Sequence, residues 1–421
     1  VTKLLIVKKA FGFMLKKMRT AHTSGLQIRK SKKMLKKLRT VLILSITFLF
    51  AGQTVAQSGN NVSIKGFVEY NNTVWAPPLR QSWMELSGVY NRLDFNWFPS
   101  NHFNFQVGMR NNFNFGSMLA RFSPLYSNYL TEDNGFMDLT FNLAHDSSYV
   151  FYSNLDRLNF KLSFSKLEVT IGRQRINWGI NTVWNPNDIF NTYNYFDFDY
   201  VERPGSDAVL VQYYTGALSS LQIAAKLDHK HQLTAAAMYK FNLKNYDIQL
   251  LGGVMDQDFV AGFGWAGQIK GAGFTGEASY FRDTKTFSHT TGQWVISVSG
   301  NYTLKSGLFL NASAIYNSTG SKGPAGFNNF LQLANLSPKT LTLSRMNWFA
   351  EASYPVTPLI KADVSSILNP YDHSAFFGPS LDFSLTENLE LFVMGQVFMG
   401  KQATEYGDYG QMYYMRLKWS F

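Results

Sequence analysis

The last ten residues, Met412-Tyr413-Tyr414-Met415-Arg416-Leu417-Lys418-Trp419-Ser420-Phe421, decide the fold class. In an extended chain successive side chains point to opposite faces. Tyr413, Met415, Leu417, Trp419 and Phe421 therefore share one face, and Tyr414, Arg416, Lys418 and Ser420 share the other. A helical period near 3.6 would mix the two groups. Such a strand has two homes: one face on a core in water, or its apolar face in lipid with the polar face lining a closed barrel.

Working outward from this end, the same period of two recurs in segments of about ten residues, the length a tilted membrane-spanning strand needs. The segments are 62–70, 84–97, 103–115, 149–164, 167–178, 208–215, 221–228, 232–241, 246–255, 259–269, 274–281, 294–303, 308–317, 347–354, 359–367, 376–385, 389–398 and 412–421, eighteen in all. Their connections alternate in length, as the two rims of such a barrel require. One rim has turns such as 99–101, 165–166, 243–245 and 305–307, rich in Gly, Asn, Ser and Pro. The other holds 116–148, 179–207, 283–293, 318–346 and 399–411, with two short connections at 228–231 and 256–258. The expectation is an all-β, transmembrane, antiparallel up-and-down β-barrel of about eighteen strands over 58–421, or sixteen if one pair is merged. A soluble β-sandwich shows the same alternation, but the strand count and the terminal Phe argue against it. The ending resembles the C-terminal signal of outer-membrane barrels, which implies recognition of Tyr413, Trp419 and Phe421 by the barrel-assembly machinery.

The 421 residues carry a net charge of +11, which at first suggests an anionic partner. Position removes that reading, because residues 1–57 hold 13 Lys and Arg and no acid. The remainder has 26 basic and 28 acidic residues, so no nucleic-acid partner is expected. Within the basic head, Lys36, Lys37 and Arg39 precede an apolar run at 41–51 and the small-residue ending Thr54-Val55-Ala56. That order is a secretory signal peptide over 34–57, its core far short of the roughly 20 residues a spanning helix needs. Residues 14–20 nearly repeat 34–40, so 1–33 reads as an upstream extension with translation starting at Met34. The expected location is integral in the outer membrane of a Gram-negative bacterium, in contact with lipid and lipopolysaccharide. With no Cys, disulfides and thiol chemistry are excluded.

A barrel of 16 to 18 strands is too wide for side chains to fill. Function should then concentrate where a long connection can narrow the lumen, and Gly172-Arg-Gln-Arg-Ile-Asn-Trp-Gly179, Asn185-Pro-Asn-Asp188 and Glu202-Arg-Pro-Gly-Ser-Asp207 stand out. Across about 45 residues this stretch resembles the central region of porin-like outer-membrane families related to the alginate-export and phosphate-selective porin groups. The resemblance implies a solute channel and names no permeant. Arg173 and Arg175 share the parity of Leu167, Val169 and Ile171, so either the strand reaches the polar headgroup zone by Arg173 or a β-bulge at Gly172 turns both arginines from lipid into the lumen, and the bulge is the expectation. The pore constriction is expected from Arg173, Arg175, Asp188, Asp197, Asp199, Glu202 and Arg203, with Trp178, Trp184, Tyr193, Tyr195 and Tyr200 as rings that could stack on a ligand. An external cap is the alternative for this loop.

The function expected is passive passage of small hydrophilic solutes or an oligosaccharide. The alternative is a non-conducting surface barrel that binds or organises capsule or other polysaccharide. His229 and His231 beside Asp228 lack a third ligand, and Asp197, Asp199 and Glu202 lack the spacing of a calcium loop, so no metal or cofactor is expected. The histidines at 102, 145, 229, 231, 289 and 373 accompany no nucleophile signature, so no enzyme is expected. Association into a homo-oligomer is left open.

Overall fold

The computed structural model describes residues 61–78, 82–196, 202–326 and 336–421. The extension expected at 1–33 and the signal peptide expected at 34–57 lie outside the described residues, as do Asp197, Asp199 and Tyr200. Among the described residues the strands are β1 Val62–Ala76, β2 Met84–Ser100, β3 Phe103–Phe115, β4 Thr140–Asp146, β5 Tyr149–Phe164, β6 Leu167–Gln174, β7 Ser206–Gly216, β8 Ser219–Leu227, β9 Leu233–Leu243, β10 Tyr246–Met255, β11 Asp258–Ile269, β12 Ala272–Asp283, β13 Gln293–Thr303, β14 Phe309–Asn317, β15 Met346–Thr357, β16 Ile360–Asn369, β17 Ser374–Thr386, β18 Leu389–Met399 and β19 Gln411–Ser420. All but β4 form one antiparallel ring of eighteen, closed by β19 on β1. Each of the eighteen expected segments falls on one ring strand in order. The fold is thus a transmembrane antiparallel β-barrel with one extra strand.

The two faces follow the alternation. Ile171, Val209, Ile223, Leu250, Phe263, Trp348, Val364 and Leu381 are exposed on the outside. Their neighbours in sequence face inward, and several are buried polar groups, such as Gln249, Asn347 and Ser365. Lys244 and Asn245, with φ of 50° and 67°, make a two-residue turn of the hand that matches strand twist. At the closing seam the Phe421 amide donates to Gly66 O at 2.9 Å and the Gly66 amide to Phe421 O at 3.1 Å. A Cβ on Gly66 would lie 2.8 Å from Phe421 Cζ, so glycine leaves room for the terminal ring.

The wall is irregular at one place. β6 was expected to run to Trp178 but stops at Gln174, and β7 begins at Ser206, so β5 keeps β6 as a partner only up to the Leu158–Arg173 pair. The upper edge of β5 pairs instead with β4, from Thr140 opposite Asn154 to Asp146 opposite Tyr149. β4 follows helices α1 Ser117–Phe122 and α2 Leu125–Thr131 within the connection 116–148, which the sequence reading took as loop throughout. The signal was present: Met137, Leu139, Phe141 and Leu143 alternate with Asp138, Thr140 and Asn142.

Candidate functional site

The chain leaves the wall after Gln174 and returns at Ser206, and the outgoing limb 175–196 folds into the barrel. Its apolar residues decide this. Ile176, Trp178, Val183, Trp184, Ile189 and Phe190 are all buried, and they cluster with inward residues from β7 through β18 and with Tyr414 of β19. Trp178 meets Phe190 edge-on at 4.8 Å, Trp184 meets Phe349 of β15 at 6.3 Å, and Phe196 meets Phe376 of β17 at 4.9 Å. Rings of this size remove enough apolar surface from water to hold the loop against the wall.

Polar wall residues fix its register. Glu277 of β12 has no solvent exposure. Its carboxylate accepts hydrogen bonds from the amides of Ile180, Asn181 at 3.0 Å and Asn187 at 2.8 Å. Around this clasp, Ser279 Oγ donates to Asn187 Oδ1 at 2.7 Å and Asn181 Nδ2 donates to Ser297 Oγ at 3.0 Å. Lys226 Nζ donates to Phe190 O at 2.6 Å, and Trp178 Nε1 to Gln222 Oε1 at 2.7 Å. The loop lies so close to β11 that a Cβ on Gly262 would be 2.7 Å from Asn187 Oδ1. The return limb is held from the other side, where Arg157 Nη2 of β5 donates to Glu202 O at 2.7 Å and Arg203 O at 3.0 Å.

Arg173 neither faces lipid nor stands in the loop. Its guanidinium grips Asp207 through two bonds of 2.7 and 2.8 Å, meets Asp133 Oδ2 at 2.7 Å, and donates to Leu155 O and Met137 O. The bulge expected at Gly172 is not there: both ladders run unbroken through it, with Asn159 and Ala208 as its partners. Gly172 instead has φ of 113°, a conformation that side-chain-bearing residues rarely adopt, and a Cβ there would meet Leu158 O at 2.3 Å. The register shift lies on β5, between the Gly108–Arg157 and Met109–Leu155 pairs.

Arg175 is half-buried on the outgoing limb and, among the described residues, has no carboxylate within salt-bridge distance. Asp188 is fully enclosed. Burial pushes its pKa up to about 6, against the pull of the Trp178 and Asn191 amides and of Arg175 and Lys226. Arg203 lies over the Tyr193 ring, 3.3 Å from its centroid. Trp178 and Trp184 are buried, and Tyr195 packs edge-on against Phe349 at 5.2 Å, so these three rings are engaged in packing. Tyr413 and Trp419 share the outer face of β19, with Tyr413 stacked on Trp83 at 6.0 Å and Trp419 beside Phe421 at 5.3 Å. Glu277, Lys226, Gln222 and Arg157 were missed by sequence reasoning. The available signal was a charged or amide residue at an inward position in a strand.

The inner wall opposite the loop's apolar contacts runs from β19 through β1, β2 and β3 to β5 and carries a charged network. Arg92 binds Asp94 at 2.7 Å and also reaches Asp156, while Arg110 lies 3.9 Å from Glu69. Arg416 is on the same inward face of β19, 5.3 Å from the Phe392 centroid, and Lys418 is 4.6 Å from the centroid of Phe67. Across the barrel, β15 and β16 place Glu351 and Asp363 on the inward face, with Asn311 Nδ2 donating to Glu351 Oε2 at 3.2 Å.

No protein-family model matches the chain, and no curated protein sequence matches it. Solved structures do match in shape. Acinetobacter baumannii OccAB4 superposes with a TM-score of 0.54 at 8% identity, covering 86% of this chain and 99% of the other. Pseudomonas aeruginosa OccK8 (OprE) gives 0.53 at 14% identity over 86% and 97%, and A. baumannii OccAB2 gives 0.53 at 8% over 85% and 98%. At these identities the likeness is one of fold: this chain has the closed eighteen-stranded antiparallel architecture of those Occ proteins.

Proposed function

We propose that this chain is an outer-membrane porin-like channel of a Gram-negative bacterium, a conduit and not an enzyme, through which small hydrophilic solutes pass passively. One observation carries the reading: a long connection is folded into the barrel and held to one side by Glu277 and a buried aromatic cluster. A barrel of this strand number is otherwise too wide to discriminate among small solutes. The passage runs between the loop and the charged wall of β19 through β5. Basic residues predominate on that wall, with Arg92, Arg110, Arg157, Arg416 and Lys418 against Glu69, Asp94 and Asp156, while Glu351, Asp363 and Asp382 face them. A solute crossing this gap is oriented by the field between the walls. Arg175, Asp188, Glu202 and Arg203 are the residues of the original constriction set that belong to the inward limbs.

Purified protein in planar bilayers tests this. Discrete conductance steps are expected, with an altered cation-to-anion permeability ratio in Arg175→Ala. A barrel that inserts and passes no current would remove the channel reading. The second reading, a capped surface barrel that holds polysaccharide, draws on the joining of the lumen loop to outer segments: Phe196 lies 6.2 Å from Tyr406, and Glu405 ties Thr342 to Asn347 and Asn369. Glycan binding without conductance would favour it.

A further inference from the structure

Three observations meet at the place where the chain leaves the wall. First, β6 and β7 end early, which strips the upper half of β5 of its ring partner. Second, the segment 133–146, which is outside the ring order, occupies the vacated position. It pairs with β5 through β4, adds a bond from the Leu155 amide to Leu139 O at 3.1 Å, and bridges from Gly135 to Asp228, the residue that follows β8. Its apolar residues Phe136, Met137, Phe141 and Leu143 are exposed, as wall residues facing lipid would be. Third, Arg173 lies in the seam, bonded to Asp133 and Met137 O of this segment, to Leu155 O of β5 and to Asp207 of β7. Asp207 Oδ2 also accepts from the Met137 amide at 2.8 Å. A Cβ on Gly135 would lie 2.1 Å from Arg173 Nη2 and one on Gly205 2.9 Å from Arg173 Cγ, so both glycines make room for the guanidinium.

We infer that residues 133–146 are a wall panel that seals the breach opened by the lumen loop, and that Arg173 is the bolt joining panel, β5 and β7. Arg173 is then a positioning residue. It is the penultimate residue of the outgoing strand, two residues before Arg175, and grips the second residue of the returning strand, so it fixes both limbs of the loop without lining the pore. Planar five-donor geometry suits the task, because one group must satisfy two carboxylates and two carbonyls in a dry seam. Only the conductance part of this inference rests on the channel reading above.

The test uses the full-length folded barrel. Asp133→Asn removes one charge from the panel side of the bolt and leaves every ring strand intact, and Arg173→Met removes the bolt itself. Proteinase K cleavage between residues 117 and 146 is expected to accelerate roughly tenfold in Asp133→Asn, the scale of one lost buried charge-assisted bond, and further in Arg173→Met, while the heat-modifiable gel mobility of a folded barrel is retained. Single-channel currents should become larger and noisier. The chain has no Cys, so F141C/S153C, opposite each other in the β4–β5 register, can re-tie the panel. Added to Asp133→Asn, the oxidised pair should restore the original current and lose it again on reduction. Unchanged cleavage in Asp133→Asn overturns the bolt. A freed panel with unchanged current overturns the positioning role. Faster cleavage in a barrel that never conducts supports the bolt and removes the channel reading instead.

Discussion

Glu277 sits within β12 with no solvent exposure, and its carboxylate takes the amides of Ile180, Asn181 and Asn187. Three loop amides end on this one carboxylate, so Glu277→Ala should leave them unsatisfied at roughly 1–3 kcal/mol each. Loosened loop docking should appear as flickering single-channel current and as new protease cleavage within 176–196. Asp188 supplies a pH dependence. Its pKa is raised to about 6 by burial, so the folded loop prefers it protonated. Its stabilising contribution is therefore full below the ordinary carboxylate range near pH 4 and is lost as pH rises through 6, with a ceiling of about 3 kcal/mol. Asp188→Asn should reduce that slope, measured as the midpoint of heat-modifiable mobility from pH 4 to 7. An unchanged slope would place its origin elsewhere.

At the scale of elements, the lumen loop behaves as a small hydrophobic core laid on the inside of a sheet. Phe190 is 2% exposed and meets Trp178 edge-on. Phe190→Ala is expected to cost about 3–5 kcal/mol of loop packing, read as a lower unfolding temperature with the barrel's β-sheet circular dichroism retained below it. The same element shows why sequence reading expected a bulge beside Arg173 where there is none. Parity along 167–175 correctly flagged Arg173 as unfit for lipid, and a bulge was the local remedy. The remedy in the structure is non-local: Asp133 comes from a segment 40 residues earlier and Asp207 from one 34 residues later. Likewise β4 was legible in the alternation of 137–143, but a seven-residue strand inside a long connection has no signal for which edge it joins.

For the whole molecule, the outside of the ring is apolar and the inside charged, so adjacent residues on one strand should respond oppositely to the same substitution. Val364 is 39% exposed on the outer face of β16, and Asp363 faces inward. Val364→Arg is expected to cost roughly 2–4 kcal/mol if it lies near the bilayer midplane and to lower the yield of folded barrel on gels. Asp363→Arg should fold normally and shift reversal potentials toward anion selectivity. Equal folding of both variants would contradict the assignment of faces.

The amino-acid sequence by itself determined the barrel: period-two alternation, strand length and the alternation of short and long connections are local quantities, and each of the eighteen ring strands was visible in them. It also singled out 172–207, because Arg, Asp and aromatic residues at that density do not suit a lipid-facing strand. Only the tertiary structure decided which of those residues do what. Trp178 and Trp184 became core, Arg173 became part of the wall, and Glu277, unremarkable in its own strand, became the anchor of the loop. The reason is physical: a strand's face is set by its neighbours in sequence, whereas the partner of a buried charge is set by which distant segments the closed ring brings within hydrogen-bonding distance.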